Sequence, residues 1–352
     1  MLPPGDKASV SVIIPCYNYG HFLQQCVNSV LAQKNVQVEI IIVDDKSTDD
    51  SAQVAEQLAI QDRRITLILH PKNAGHVVTF NTGLAAATGE FIVRLDADDL
   101  LTPGSLERAV ALFRHFPTVG LVYGHPRHFT TPEPPVANET VRGWSVWSGV
   151  DWVTERCRAG VNVITTPEAV VRSDVFRSVG GLDTRLKFAQ DMEMWLRTAT
   201  CSDVGRVDGP DQAFHRDHAA SMSATSGSGR LLDLKERLNV FDILFSGLGS
   251  QLPNAVELHN EARRALASEA LVSAYAAYDR GRAPSADINE FIQFAIESLA
   301  EAHTLPQWRA LRRRQFVGPH LAPYVPPFTA SVLWRRYNAW KSYRKWERTG
   351  LW

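Results

Sequence analysis

The chain has 352 residues, a formal net charge of −1, and 45% hydrophobic against 21% charged residues. That balance excludes a disordered chain and a dedicated polyanion binder, and the length suits one large domain or a domain with an appendage. No apolar run approaches the ~18–20 residues that cross a bilayer, and no signal-peptide core opens the sequence. Cys16, Cys26, Cys157 and Cys201 lie far apart without zinc or disulfide spacing, so the chain reads as reduced and cytoplasmic. Residues 10–14 form a short apolar run halted by Pro15, a buried strand by its pattern. Leu23, Val27, Val30 and Leu31 follow at helical spacing, then a second β-branched run at 40–43. Ser47 to Asp50 has the form of a capping box ahead of Val54, Ala55, Leu58 and Ala59. Strands fit 65–69 and 91–95, with a helix around 77–87 between them. A helix carrying Leu106, Ala109, Val110 and Phe113 precedes a strand at 121–123. This alternation predicts parallel strands with right-handed crossovers, an α/β sheet covered on both faces.

Residues 130–138, rich in proline and threonine, read as a surface excursion, with regular structure resuming at Asp151. Gly180-Gly181 precedes a helical stretch in which Met192, Trp195, Leu196 and Ala199 share a face. The Ser/Gly-rich run 221–229 reads as a domain boundary, dividing residues 1–224 from a helical region, 225–352. Helices are expected at 231–245, 255–278 and 288–302, then a proline-punctuated stretch and a basic aromatic tail. The sequence has no internal repeat.

Open parallel sheets bind ligands beyond the carboxyl ends of their strands. Here those ends are acidic: Asp44-Asp45 after the second strand, and Asp96, Asp98 and Asp99 after the fourth. Grouped carboxylates repel one another unless a cation or donor compensates, and oxygen ligands suit Mg²⁺ or Mn²⁺ bridging a diphosphate. Loop aspartates capping the next helix are the alternative, evenly matched for Asp44-Asp45 and weaker for the triplet. The sequence lacks G-x-G-x-x-G after its first strand, and lacks a P-loop, H-E-x-x-H and G-x-S-x-G.

Taken in order, the segments 10–18, 41–45, 73–75 with Asn81, 89–99, 180–183 and 190–195 resemble glycosyltransferase family 2, whose members have the GT-A fold. The resemblance covers about residues 8 to 223. It implies a mixed, mainly parallel sheet flanked by helices, with residues 225–352 as a helical extension beyond it. It also implies that Pro15, Tyr17, Asn18, Asp44, Asp45, Asn81, Asp96 and Arg216 contact a nucleotide-sugar donor, a UDP-sugar ahead of GDP- or dTDP-sugars. Tyr17 would lie against the base and Asp44 would accept from its edge. Asp96 and Asp98 match the family's D-x-D, with Asp98 the direct ligand of Mn²⁺ or Mg²⁺, His218 a further metal ligand, and Asp99 a support for the loop. Asp191 matches the family base of an inverting reaction, although the usual Glu-Asp pair is here Gln190-Asp191. A first-turn helix carboxylate is the alternative for Asp191.

From Trp334 the tail places Trp340, Tyr343 and Trp346 on one side of a helical projection and Lys341, Arg344, Lys345 and Arg348 on the other. Contact with an anionic membrane, a packing helix and a homo-oligomer contact all fit that pattern. The resulting expectation is an inverting, metal-dependent transferase acting on a saccharide or lipid-linked acceptor in envelope or polysaccharide biosynthesis, at the inner face of the membrane and with no nucleic-acid partner. A non-catalytic sugar-nucleotide-binding or scaffold subunit is the alternative.

Overall fold

The computed structural model describes residues 7–219, 221, 229–281 and 286–350. The described residues fall into two compact units. One comprises the chain up to Trp152 with Ile164–Ser221, and the other Val153–Val163 with the chain beyond Ser221. Of the expected boundary at 221–229, residues 222–228 lie outside the described residues.

In the first unit, β1 (Ser9–Cys16), β2 (Gln37–Asp44), β3 (Ile65–Leu69) and β4 (Phe91–Arg94) lie in the order β3-β2-β1-β4, all parallel. The helices between them, α1 (Gly20–Leu31), α2 (Ser51–Gln61) and α3 (His76–Ala86), supply the crossovers that parallel neighbours require. Val10, Val12, Ile14 and Cys16 share a core with Leu23, Cys26, Val27 and Val30 of α1. Ile13 faces the other way, and a Cβ on Gly83 of α3 would collide with it, so glycine lets this helix lie close on the sheet. Pro15 does not end β1, which runs on to Cys16 with Pro15 opposite Val43. Pairing with β4 stops at Ile13, so the missing N–H falls at the strand's end.

The capping box does not form. Asp50 at the N-cap of α2 makes no side-chain cap bond, while Asp49 Oδ1 accepts from Ser51 N at 3.0 Å. Ser47 is drawn away into the loop, donating its N–H to Asp44 Oδ2 and accepting from Asn18 N, each at 3.0 Å.

Beyond β4 the sheet continues β8-β6-β9-β5, with β7 also pairing with β9. The elements are β5 (Leu100–Leu101), α4 (Ser105–His115), β6 (Val119–Phe129), β7 (Gly143–Trp147), α5 (Gly149–Ala159), β8 (Val170–Arg172), α6 (Ser173–Val179), α7 (Gln190–Ala199) and β9 (Asp203–Arg216). β8 is antiparallel to both its neighbours, and β5 and β7 are antiparallel to β9, so the sheet is mixed. β6 is far longer than 121–123, and β9 has no sequence counterpart in the strand pattern. The two run parallel through register shifts around His125, and Gly205, Gly209 and Pro210 interrupt β9's apolar pattern.

The second unit is helical: α8 (Arg230–Ser246), α9 (Ala255–Tyr278), α10 (Ala286–Ser298), α11 (Pro306–Val317) and α12 (Pro326–Thr349). Leu258, Ala262, Leu266, Ala270, Leu271 and Ala274 form the buried stripe of α9. Arg237 bridges Asp233 and Glu269, and buried Asp279 holds both Arg314 and Arg335. Among the described residues, no helix is long and apolar enough to cross a membrane.

Candidate functional site

The register of β2, β1 and β4 brings three strand ends together: Asp45 N bonds to Cys16 O, and Leu95 N to Ile13 O. Two of the acidic groups therefore flank the loop after β1. Asp44 is buried, with Oδ2 taken by Ser47 N and Oδ1 an unsatisfied acceptor enclosed at the sheet end. β1 ends one residue past Pro15, at Cys16, and the Tyr17 ring that follows stands 43% exposed, open for stacking.

Two neighbours are committed elsewhere. Asn18, at φ 60°, turns its Oδ1 to Thr48 N at 2.7 Å and so pins the 47–48 loop. Asp45 Oδ1 accepts from Ala74 N and faces His70 Nδ1, and Oδ2 accepts from Gly75 N, all at 2.8 Å. Burial alone raises the Asp45 pKa, but these donors pull it below the ordinary carboxylate value. Asp45 thus braces residues 74–75 and His70.

After β4, Asp96 is partly exposed and paired with buried Arg94, Nε to Oδ1 at 3.1 Å. Asp98 Oδ2 lies 2.9 Å from His218 Nε2. Burial and the neighbouring Asp96 push Asp98 above the usual carboxylate range, against the pull of His218. Two carboxylates at one strand end, with an imidazole against one of them, fit a divalent cation. Buried Asp99 accepts from Arg216 N at 2.9 Å and lies 3.0 Å from His215 Nδ1. Burial works against charge on His215, yet Asp99, Glu168 and Asp217 hold its pKa up at about 9.

Arg216 is engaged within the chain. Its guanidinium is buried between Phe22 and Phe129 and donates to Asp98 O, Thr131 O, Pro132 O and Gln25 Oε1. Asn81 is likewise withdrawn: its Nδ2 donates to Leu182 O at 2.9 Å and its Oδ1 accepts from Leu182 N at 2.8 Å. A Cβ on Gly181 would strike that amide, which accounts for the Gly180-Gly181 pair.

Asp191 lies in the first turn of α7 and lines a pocket with Arg94, Phe80, Leu182, Met194 and Trp195. Burial lifts its pKa to about 6, while Arg94 and the backbone of Met192 draw it down. Gln190 is buried with its Nε2 2.7 Å from His76 Nε2. Burial and Arg94 lower the His76 pKa, which favours the neutral ring beside this amide. An amide at position 190, in place of the usual glutamate, carries both a donor and an acceptor and so meets either tautomer of a neutral imidazole.

Sequence reasoning missed Arg94, although one arginine in the four-residue strand Phe91–Arg94, buried at every position, is a signal of a buried ion pair. It also missed Glu168, whose carboxylate accepts from Thr165 N and Thr166 N and which burial pushes up to about 7. No local pattern marks Glu168.

The model of a family described as Glycosyl transferase family 2 matches residues 11–169. An uncharacterized glycosyltransferase of Nostoc sp. is 45% identical over 114 residues, 32% of this chain and 35% of that protein. The chain spans about a third of the length of such curated relatives. A solved structure of Staphylococcus aureus TarS in complex with UDP-GlcNAc superposes with TM-score 0.64 at 14% identity, covering 90% of each chain. The mannosyltransferase PcManGT of Pyrobaculum calidifontis, in complex with GDP-Man and Mn²⁺, gives TM-score 0.55 at 18% identity over 95% of this chain and 86% of that one. At these identities the likeness establishes the fold, the GT-A arrangement expected from the sequence.

Proposed function

The chain belongs to glycosyltransferase family 2, and from that premise we propose that it is an inverting glycosyltransferase using a nucleotide-sugar donor, a UDP-sugar first. The observation that carries the reading is the Arg94 guanidinium, which pairs with Asp96 of the D-x-D and lines the same pocket as Asp191. One buried cation thus couples the two carboxylates assigned to donor binding and to proton transfer.

Asp44 Oδ1 accepts from the base edge and the Tyr17 ring stacks on the base. Asp98 and His218, with Asp96 beside them, would hold Mn²⁺ or Mg²⁺, which supplies charge compensation to the leaving diphosphate. Asp191, ionised, takes the proton of the acceptor hydroxyl. The acceptor oxygen then bonds to the anomeric carbon as the bond to the diphosphate breaks, with inversion. Residues 1–224 do this work, and the acceptor is a saccharide or lipid-linked glycan of envelope or polysaccharide assembly.

The finer location proposed is the inner membrane surface, reached through α12. Trp334, Tyr337, Trp340 and Tyr343 are exposed along this helix, and Arg336 and Lys341 stand exposed among them. Trp346 leaves the expected aromatic side, since its Nε1 donates to Val163 O at 3.3 Å, and Arg335 is held by Asp279.

Calorimetry with UDP, GDP and dTDP, each with Mn²⁺ and with chelator, tests the donor reading. Binding of one nucleotide that is lost with chelator is expected. Metal-independent binding, or none, would overturn the Asp96/Asp98/His218 assignment.

A further inference from the structure

β6 and β9 run parallel with His128 directly opposite His215, so the two imidazoles stand together, edge to face, with centroids 4.8 Å apart. Asp217, just past β9, brings Oδ1 to 3.2 Å from His128 Nδ1 and 3.9 Å from His215 Nε2. One ligand atom from each of the three residues lies within 4.8 Å of the others. His215 is oriented from behind: buried Asp99 lies 3.0 Å from its Nδ1 and is itself fixed by Arg216 N at 2.9 Å. That bond turns Nε2 toward Asp217 and His128. A carboxylate behind an imidazole is the usual support of a metal-ligating histidine.

We infer that His128, His215 and Asp217 form a site for a divalent transition ion of the Zn²⁺ class, separate from the Asp96/Asp98/His218 group. Two imidazoles with one carboxylate suit zinc, whereas a carboxylate-rich set suits Mg²⁺ or Mn²⁺. Zn–ligand bonds of about 2.0–2.2 Å place tetrahedral ligand atoms about 3.3 Å apart. The 3.2 and 3.9 Å separations reach this by rotating two half-exposed side chains, His128 and Asp217, each 49% accessible. Without an ion, so exposed a pair contributes little to stability. Asp99 adds a carboxylate behind the site, which favours a dication. Bound there, the ion ties β6 to residues 215–217 and holds the segment that presents His218 to Asp98.

The test is a Zn²⁺ titration of the full chain against a chromophoric chelator, with thermal denaturation in parallel, on wild type, His128→Ala, Asp217→Asn and Asp98→Asn. Wild type and Asp98→Asn should each bind one Zn²⁺ and gain thermal stability from it. His128→Ala and Asp217→Asn should weaken binding about 10–100-fold and lose the thermal gain. Mn²⁺-dependent nucleotide binding should follow the opposite pattern, persisting in His128→Ala and failing in Asp98→Asn, so the donor reading stands or falls separately. Absence of Zn²⁺ binding in wild type, wild-type affinity in His128→Ala and Asp217→Asn, or loss only in Asp98→Asn would each overturn the inference.

Discussion

At the scale of single residues, the base role proposed for Asp191 ties turnover to pH. A base must be ionised, so with its pKa near 6 the transfer rate should fall below about pH 6 and level off above it, in a kcat profile at saturating metal. The folded-state value lies above that of an unfolded aspartate. The stability this carboxyl contributes is therefore present at low pH and lost as pH rises through about 6. Asp191→Asn should then melt no lower than wild type at pH 7, while turnover falls about 10²–10⁴-fold and nucleotide binding persists. Unchanged turnover would remove Asp191 from the base role. Gln190→Glu sets a carboxylate against His76 and should move that imidazole's titration up by about 1–3 pH units, read by histidine NMR.

At the scale of elements, Asn81 shows how much of the motif series is architecture. Its amide joins α3 to the backbone of Leu182, at the start of the loop that leads into α7 and Asp191. Asn81→Ala leaves the buried Leu182 N–H and C=O unpaired and should cost about 1–3 kcal/mol, measured by chemical denaturation. Turnover should drop with it, because Asp191 is then less firmly placed. A variant as stable as wild type would return Asn81 to donor binding.

The parallel strands β1 and β2 were legible because buried parallel strands need unbroken apolar runs, such as residues 10–14 and 40–43. β9 was not, because its glycines, proline and arginines are accommodated by pairing with three other strands and by buried ion pairs such as Arg206–Asp208. Local pattern does not encode partners so distant in sequence.

At the scale of the whole molecule, the aromatic and basic surface of α12 makes a claim about location. Replacing Arg336 and Lys341 by glutamate should weaken sedimentation with anionic vesicles by about 1 kcal/mol per charge removed, and raised salt should do the same to wild type. Equal sedimentation with neutral vesicles would show that charge plays no part. Either result leaves the donor site untouched, since every residue assigned to it precedes Ser221.

The family, the alternating core and the positions of Asp44, Asp96 and Asp98 at strand ends and Asp191 at a helix start were legible in the sequence, because strand ends and helix starts are local events set by apolar period and breaking residues. Which of the polar motif residues are taken up by the fold itself is set by tertiary packing. Asp45, Asn81 and Arg216 have the residue types of a donor site, but each is consumed by backbone groups or side chains brought to it from elsewhere in the chain. Asp44 Oδ1 is left unpaired, Asp98 meets His218, and His128 meets His215 across paired strands for the same reason. A buried polar atom takes whichever partner the fold brings within hydrogen-bonding distance, and that partner is fixed by packing across the sheet rather than by neighbours in sequence.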